Sequence, residues 1–114
     1  MLLRQPAKLL RLHFAEDDSY EGIPLYEALA KTCQKLGIAG ITVFRGTEGY
    51  GESTEIHRRR ILAHHQPIMV TIVESAENVE RLVPEIERMV DTGMIAISDV
   101  EMIRVRNPHL AETD

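Results

Sequence analysis

The chain has 114 residues, enough for one domain with one core, and its 44% hydrophobic and 27% charged residues argue against disorder. A formal net charge of −5 argues against a general nucleic-acid binder, whose affinity rests on neutralising phosphates. No apolar run approaches the ~20 residues of a membrane span.

Arg4 and Lys8 break the apolar N-terminal run, so no signal peptide is expected there, and a cytoplasmic location follows as the expectation. From Lys8 to Ala15 the pattern alternates, with Leu10, Leu12 and Phe14 on one face and Arg11 and His13 on the other, which predicts a strand. Glu16 to Gly22 is acidic and turn-like, and its Glu16, Asp17, Asp18 and Glu21 read as a solvated patch. Pro24 suits a first helical position. Leu25, Leu29, Cys33 and Leu36 then repeat at helical spacing, and Gly37 supplies the stop. The lone Cys33 has no partner for an intrachain disulfide and reads as a buried structural thiol.

Gly40 to Arg45 predicts a second strand. A long connection follows, from Gly46 to Gln66, with Gly46, Gly49 and Gly51 at its start and His57, Arg58, Arg59 and Arg60 later. Glycine lets the backbone come close to another group, and freed N–H groups suit an anion. The order helix, strand, glycine loop is neither a Rossmann nor a P-loop order. Ser53 or Thr54 could cap a short helix through Ile56, Ile61 and Leu62, ended by Pro67. The basic run at its centre reads either as a solvated helical turn or as a phosphate clamp.

Ile68 to Val73 is the third predicted strand, apolar on both faces and so expected to be covered on both. Ser75 can cap a second helix whose face is Val79, Leu82, Val83, Ile86, Met89 and Val90, with Pro84 kinking it and Gly93 ending it. Ile95 to Ile97 reads as a short strand or an extended turn, and Val100 to Val105 as the last strand. Arg104 and Arg106 share one face of that strand, either toward a phosphate or as edge protection. The tail from 107 to 114 is polar and expected to fray.

The predicted order is β-α-β-β-α-β within one domain spanning 1–114, with a core from 8 to 105. That is α+β, the ferredoxin-like plan: a four-stranded antiparallel sheet with two helices on one face. The second cover for the sheet is then most simply another subunit.

The pieces GIAGITV, EGYGE, PIMVTIVES and MVDTGMI, in this order and spacing, resemble the PII signalling superfamily from about Lys8 to Val105. EGYGESTEIHRRR is similar more closely to the PII-like proteins grouped as domain of unknown function 190. The resemblance implies a cytoplasmic homotrimer that binds an adenine nucleotide (AMP, ADP or ATP) in clefts between subunits. It also implies signalling through a mobile loop to a membrane transporter or an enzyme, with no catalysis and no required cofactor. It assigns the adenine pocket to Thr42, Thr92 and Gly93 and to a backbone group at Val73, and the phosphates to Gly49, Tyr50 and Gly51. Arg104 and Arg106 would stand in for a family lysine. That lysine, in a Gly-Asp-Gly-Lys run after the second helix, has no counterpart in Met94 to Asp99, and the modifiable loop tyrosine has none either.

Two other classes compete. One is a trimeric metal- or ion-binding protein resembling the divalent-cation tolerance proteins, built on His57, His64 or His65. One chain does not bring three of these ligands together. The other is a small nucleotide-processing enzyme, for which there is no G-x-S-x-G elbow, no H-x-x-x-H pair and no cysteine with an evident base.

Overall fold

A computed structural model describes residues 2–47 and 66–107. Eight elements follow in chain order: β1 (Leu2–Ala15), β2 (Ser19–Tyr20), β3 (Ile23–Pro24), α1 (Leu25–Lys35), β4 (Thr42–Arg45), β5 (Pro67–Glu74), α2 (Ala76–Met89) and β6 (Met94–Val105). The four long strands form one sheet in the order β4-β5-β1-β6, every neighbour antiparallel. The architecture is α+β, a four-stranded antiparallel sheet with two helices, as the alternating pattern predicts.

Period-two alternation decides which side the helices cover. Leu10, Leu12 and Phe14 of β1 stand opposite Ile72, Val70 and Ile68 of β5, and all six are buried. Val79, Leu82, Ile86 and Met89 of α2 and Leu25, Ala28, Leu29 and Cys33 of α1 close over them in one cluster. Burial pushes the Cys33 thiol up to about 11, so it stays protonated and inert. Full burial of each large aliphatic or aromatic side chain is worth ~1.5–3 kcal/mol, and this cluster carries the fold.

Local chemistry sets the helix ends. Gly37 adopts φ +77°, its N–H donates to the Gln34 carbonyl, and the Ile38 N–H donates to the Cys33 carbonyl. This is a Schellman stop with Ile38 as its buried hydrophobic contact. At the start of α2, the Ser75 hydroxyl accepts from the Asn78 N–H at 3.2 Å.

The structure corrects several expectations. Pro24 precedes α1 at the cap position and pairs with Ser19 instead of starting the helix. Within the acidic turn, Tyr20 and Ile23 pair as a two-residue hairpin around Glu21 (φ 50°) and Gly22 (φ 84°), a turn with both central residues left-handed. The acidic patch is not merely solvated. Glu16 pairs with Arg45 at 2.5 Å, and Asp18 accepts from the Ala15 N–H at 3.1 Å. β1 starts six residues earlier than Lys8, and Ile95–Ile97 and Val100–Val105 belong to one strand, β6. α2 continues through Pro84 as one element and ends at Met89 with Val90 extended, so Gly93 does not stop it.

Beyond Glu74, β1 and β6 run on together as a two-stranded ribbon, Leu2–Ala7 against Val100–Val105. Lys8 pairs with Asp99 at 2.5 Å and Arg4 with Glu101 at 2.7 Å along it. The sheet's second side carries no helix. Val73 there is 40% exposed and Phe44 48%, so in the single chain β5 is covered on one face only.

Candidate functional site

The open side of the sheet gathers two of the nucleotide residues suggested by resemblance. Thr42 stands opposite Thr71, and Val73 is the diagonal neighbour on β5, roughly 7–8 Å away. β4 begins at Thr42, while β5 runs on to Glu74. The β4-side edge of Ile72–Glu74 therefore has no ladder partner among the described residues. That stretch is where a backbone group could meet a base.

Thr92 and Gly93 lie elsewhere. They form the turn between α2 and β6, Thr92 half-buried and Gly93 exposed, at the far edge of the sheet. The row Thr42, Thr71, Arg11, Ala96 crosses all four strands, about 14 Å from edge to edge. Gly93 is three residues further along. Its glycine has a reason of its own: a Cβ there would stand 2.8 Å from the His13 carbonyl oxygen and 3.0 Å from a Val90 methyl.

Arg104 lies on the ribbon opposite Leu3, eight residues from Ala96, on the same open side. Arg106 follows the end of β6. Gly49, Tyr50 and Gly51 lie outside the described residues, as do His57 to Arg60, His64, His65 and the short helix expected after Ser53. A single chain thus brings Thr42 together with Val73, and Thr92 with Gly93, but not the two pairs with each other.

Sequence reasoning missed Glu74, the one charged side chain buried among the described residues. Its Oε1 accepts from the Ala39 N–H at 3.0 Å, and its Oε2 accepts at 3.0 Å from the Ser75 N–H and from Asn78 Nδ2. Burial alone would raise this carboxyl. The three hydrogen bonds, from Ala39, Asn78 and Ser75, together with the charge of Arg104, outweigh it and hold Glu74 below its ordinary value. Glu74 therefore ties the α1–β4 turn to the start of α2, directly beside Val73. The only sequence signal is a carboxylate just before a capping serine.

The roots of the long connection are clamped as well. The Gly46 N–H donates to the Pro67 carbonyl at 2.7 Å, and the Glu16 N–H to the Gln66 carbonyl at 2.9 Å. The Gln66 amide lies 2.8 Å from the carbonyl oxygens of Gly46 and Thr47, with its nitrogen donating to both. A Cβ on Gly46 would meet the Pro67 ring at 2.7 Å, so the approach needs glycine.

Two hollows appear elsewhere. One of about 420 Å³ runs along the ribbon beside Arg4 and Glu101. Another of about 320 Å³ lies between the helices, walled by Tyr20, Lys31, Lys35 and Arg88. None of the nucleotide residues lines either. Among the described residues, no three His, Cys, Asp or Glu side chains converge as metal ligands, and no helix is long and apolar enough to cross a membrane.

The split sheet with two helices on one side is the PII-like fold. The apo form of CPII from Thiomonas intermedia, a nitrogen regulatory PII-like protein, superposes with a TM-score of 0.64 at 15% identity, over 92% of this chain and 100% of that one. A second CPII structure, bound to ADP, AMP and bicarbonate, gives 0.62 at 16% identity, over 88% and 98%. Within that class the chain belongs to the DUF190 family (Uncharacterized ACR), whose model matches residues 7–102. A UPF0166 protein of Aquifex aeolicus (strain VF5) is 38% identical over 98 residues, covering 84% of this chain and 92% of that protein.

Proposed function

We propose that this protein is a non-enzymatic, PII-like regulator that binds an adenine nucleotide in clefts between the subunits of a homotrimer. The observation that carries the reading is the division of the site. Thr42 and Val73 sit toward one edge of the sheet, and Thr92 and Gly93 beyond the other. Packing a second protomer edge to edge against the first can join one pair to the other, which one chain cannot do. The bare, apolar side of the sheet gives the copies a reason to associate. ADP and AMP in the CPII structure support the ligand class.

In this reading Arg104 and Arg106 take the phosphates in place of the family lysine, and Gly49, Tyr50 and Gly51 close on them. The nucleotide works by differential affinity for two arrangements of the Gly46–Gln66 connection, whose clamped roots transmit the difference to β1 and β5. A membrane transporter or an enzyme would read that connection.

Titration calorimetry with ADP tests the site. Thr92→Val removes one hydrogen bond at nearly constant shape and should cost about 0.5–1.5 kcal/mol of binding. Arg104→Ala should weaken ATP more than AMP. Equal loss for the two nucleotides would remove Arg104 from the phosphate site, and no binding of any adenine nucleotide to the wild type would end the reading.

A further inference from the structure

The pleat of the sheet sorts its charges. Glu74, Asp99 and Glu101 all stand on the side that faces the helices, and each has its partners there: three N–H donors, Lys8 and Arg4. The open side of the four-stranded sheet carries Arg11 and His13, and no Asp or Glu at any described strand position, while Arg104, out on the ribbon, is near enough to Glu74 for its charge to act there. In a chain with 18 acidic and 13 basic residues, that separation is unexpected.

Arg11 is at the centre of it. It lies on β1 in the row Thr42, Thr71, Arg11, Ala96, exposed, and among the described residues it makes no ion pair or hydrogen bond. The row beyond it runs Phe44, Met69, His13, Met94 and the row before Val73, Leu9, Ser98, so its neighbours are mostly apolar and none is acidic. Covering this face removes the guanidinium from water, which is costly without a counter-charge. A second copy that presents the same face brings more cations and no carboxylate. Thr71 is paired directly opposite Arg11, and a forked guanidinium with a neighbouring hydroxyl offers donors that match the oxygens of a tetrahedral anion.

We propose that Arg11, with Thr71, holds an oxyanion of the phosphate type inside the assembled sheet faces. The inference rests on the assembly reading above. Thr42 continues the same row, so the phosphoryl group of a nucleotide is a second source of the same chemistry.

The test is a set of thermal melts of the full chain against inorganic phosphate, ADP and adenosine at ionic strength held constant with potassium chloride, with light scattering on the same samples. Wild type should gain melting temperature saturably with phosphate. Arg11→Met should weaken that response by roughly tenfold or more, and Thr71→Val by less. In chloride alone, Arg11→Met should assemble at least as well as wild type. If Arg11→Met loses phosphate but keeps ADP, the anion is inorganic. If it loses both while adenosine has no effect, the anion is the nucleotide's own phosphate, held at the same arginine. A phosphate response unchanged by Arg11→Met in an intact oligomer overturns the oxyanion site alone. A monomer in every condition overturns the assembly, and an Arg11-dependent phosphate response in that monomer would still support the site.

Discussion

Glu74 is buried with all its strong partners on backbone or amide N–H groups, so its charge, not only its shape, holds the structure. Its folded value lies below the ordinary 4.5, so the folded state binds its proton less readily than the unfolded chain. The stability it contributes is complete above the unfolded value and is lost as pH falls through the lower folded one. Glu74→Gln keeps the volume but offers one acceptor oxygen and one donor group to three donors. It should cost about 1–3 kcal/mol near neutrality and flatten the loss of stability in acid, as read by urea unfolding from pH 7 to below 4. An acid profile identical to wild type would assign that loss to other carboxylates. Gly93→Ala should also destabilise, by about 1–3 kcal/mol, because the added methyl meets the His13 carbonyl, part of a paired strand. Any nucleotide affinity measured on that variant must therefore be corrected for folding. Neither role was legible in the sequence. Glu74 finds Ala39 only once α1 and β5 are packed, and the crowding at Gly93 comes from a strand eighty residues earlier in the chain.

The elements with a strong period were readable. α1 repeats its apolar residues at helical spacing and stops on Gly37, and β5 is an apolar run bounded by Pro67 and Ser75. Gly37→Ala should cost about 1–2 kcal/mol, since alanine resists the left-handed conformation that the Schellman stop requires. Leu82→Ala, at the centre of the helix–sheet contact and fully buried, should cost about 2–5 kcal/mol in equilibrium unfolding. A cost well under that range would mean α2 rests on the sheet more loosely than its burial implies. The unread elements have physical reasons. The β2–β3 strands have two residues each, too few for any period, and Arg88 fixes their hairpin to α2 through the Tyr20 hydroxyl at 2.5 Å. The sequence divides β6 into Ile95–Ile97 and Val100–Val105, because the polar Ser98 and Asp99 interrupt its apolar residues. Both are exposed, and β1 pairs with them without a break.

Taken entire, the chain builds its core on one side of the sheet and leaves the other side without a helix. Two substitutions separate them. Val70→Asp places a charge in the core and should unfold the protein. Val73→Asp, three residues on and 40% exposed, should leave the circular dichroism of the protomer intact and break its assembly. The α+β plan could be read from alternation, and the apolar residues on both faces of β5 marked a second side whose cover the single chain does not supply. The division of the proposed nucleotide residues between the two edges could not, since it depends on strand order. The central claim is that an adenine nucleotide binds between copies of this chain. The chain has no tryptophan, so absorbance at 260 nm follows nucleotide with little protein background. Sedimentation velocity with ADP should show a species of three times 12.9 kDa carrying nucleotide absorbance with it. A species of 12.9 kDa sedimenting without that absorbance would contradict the account.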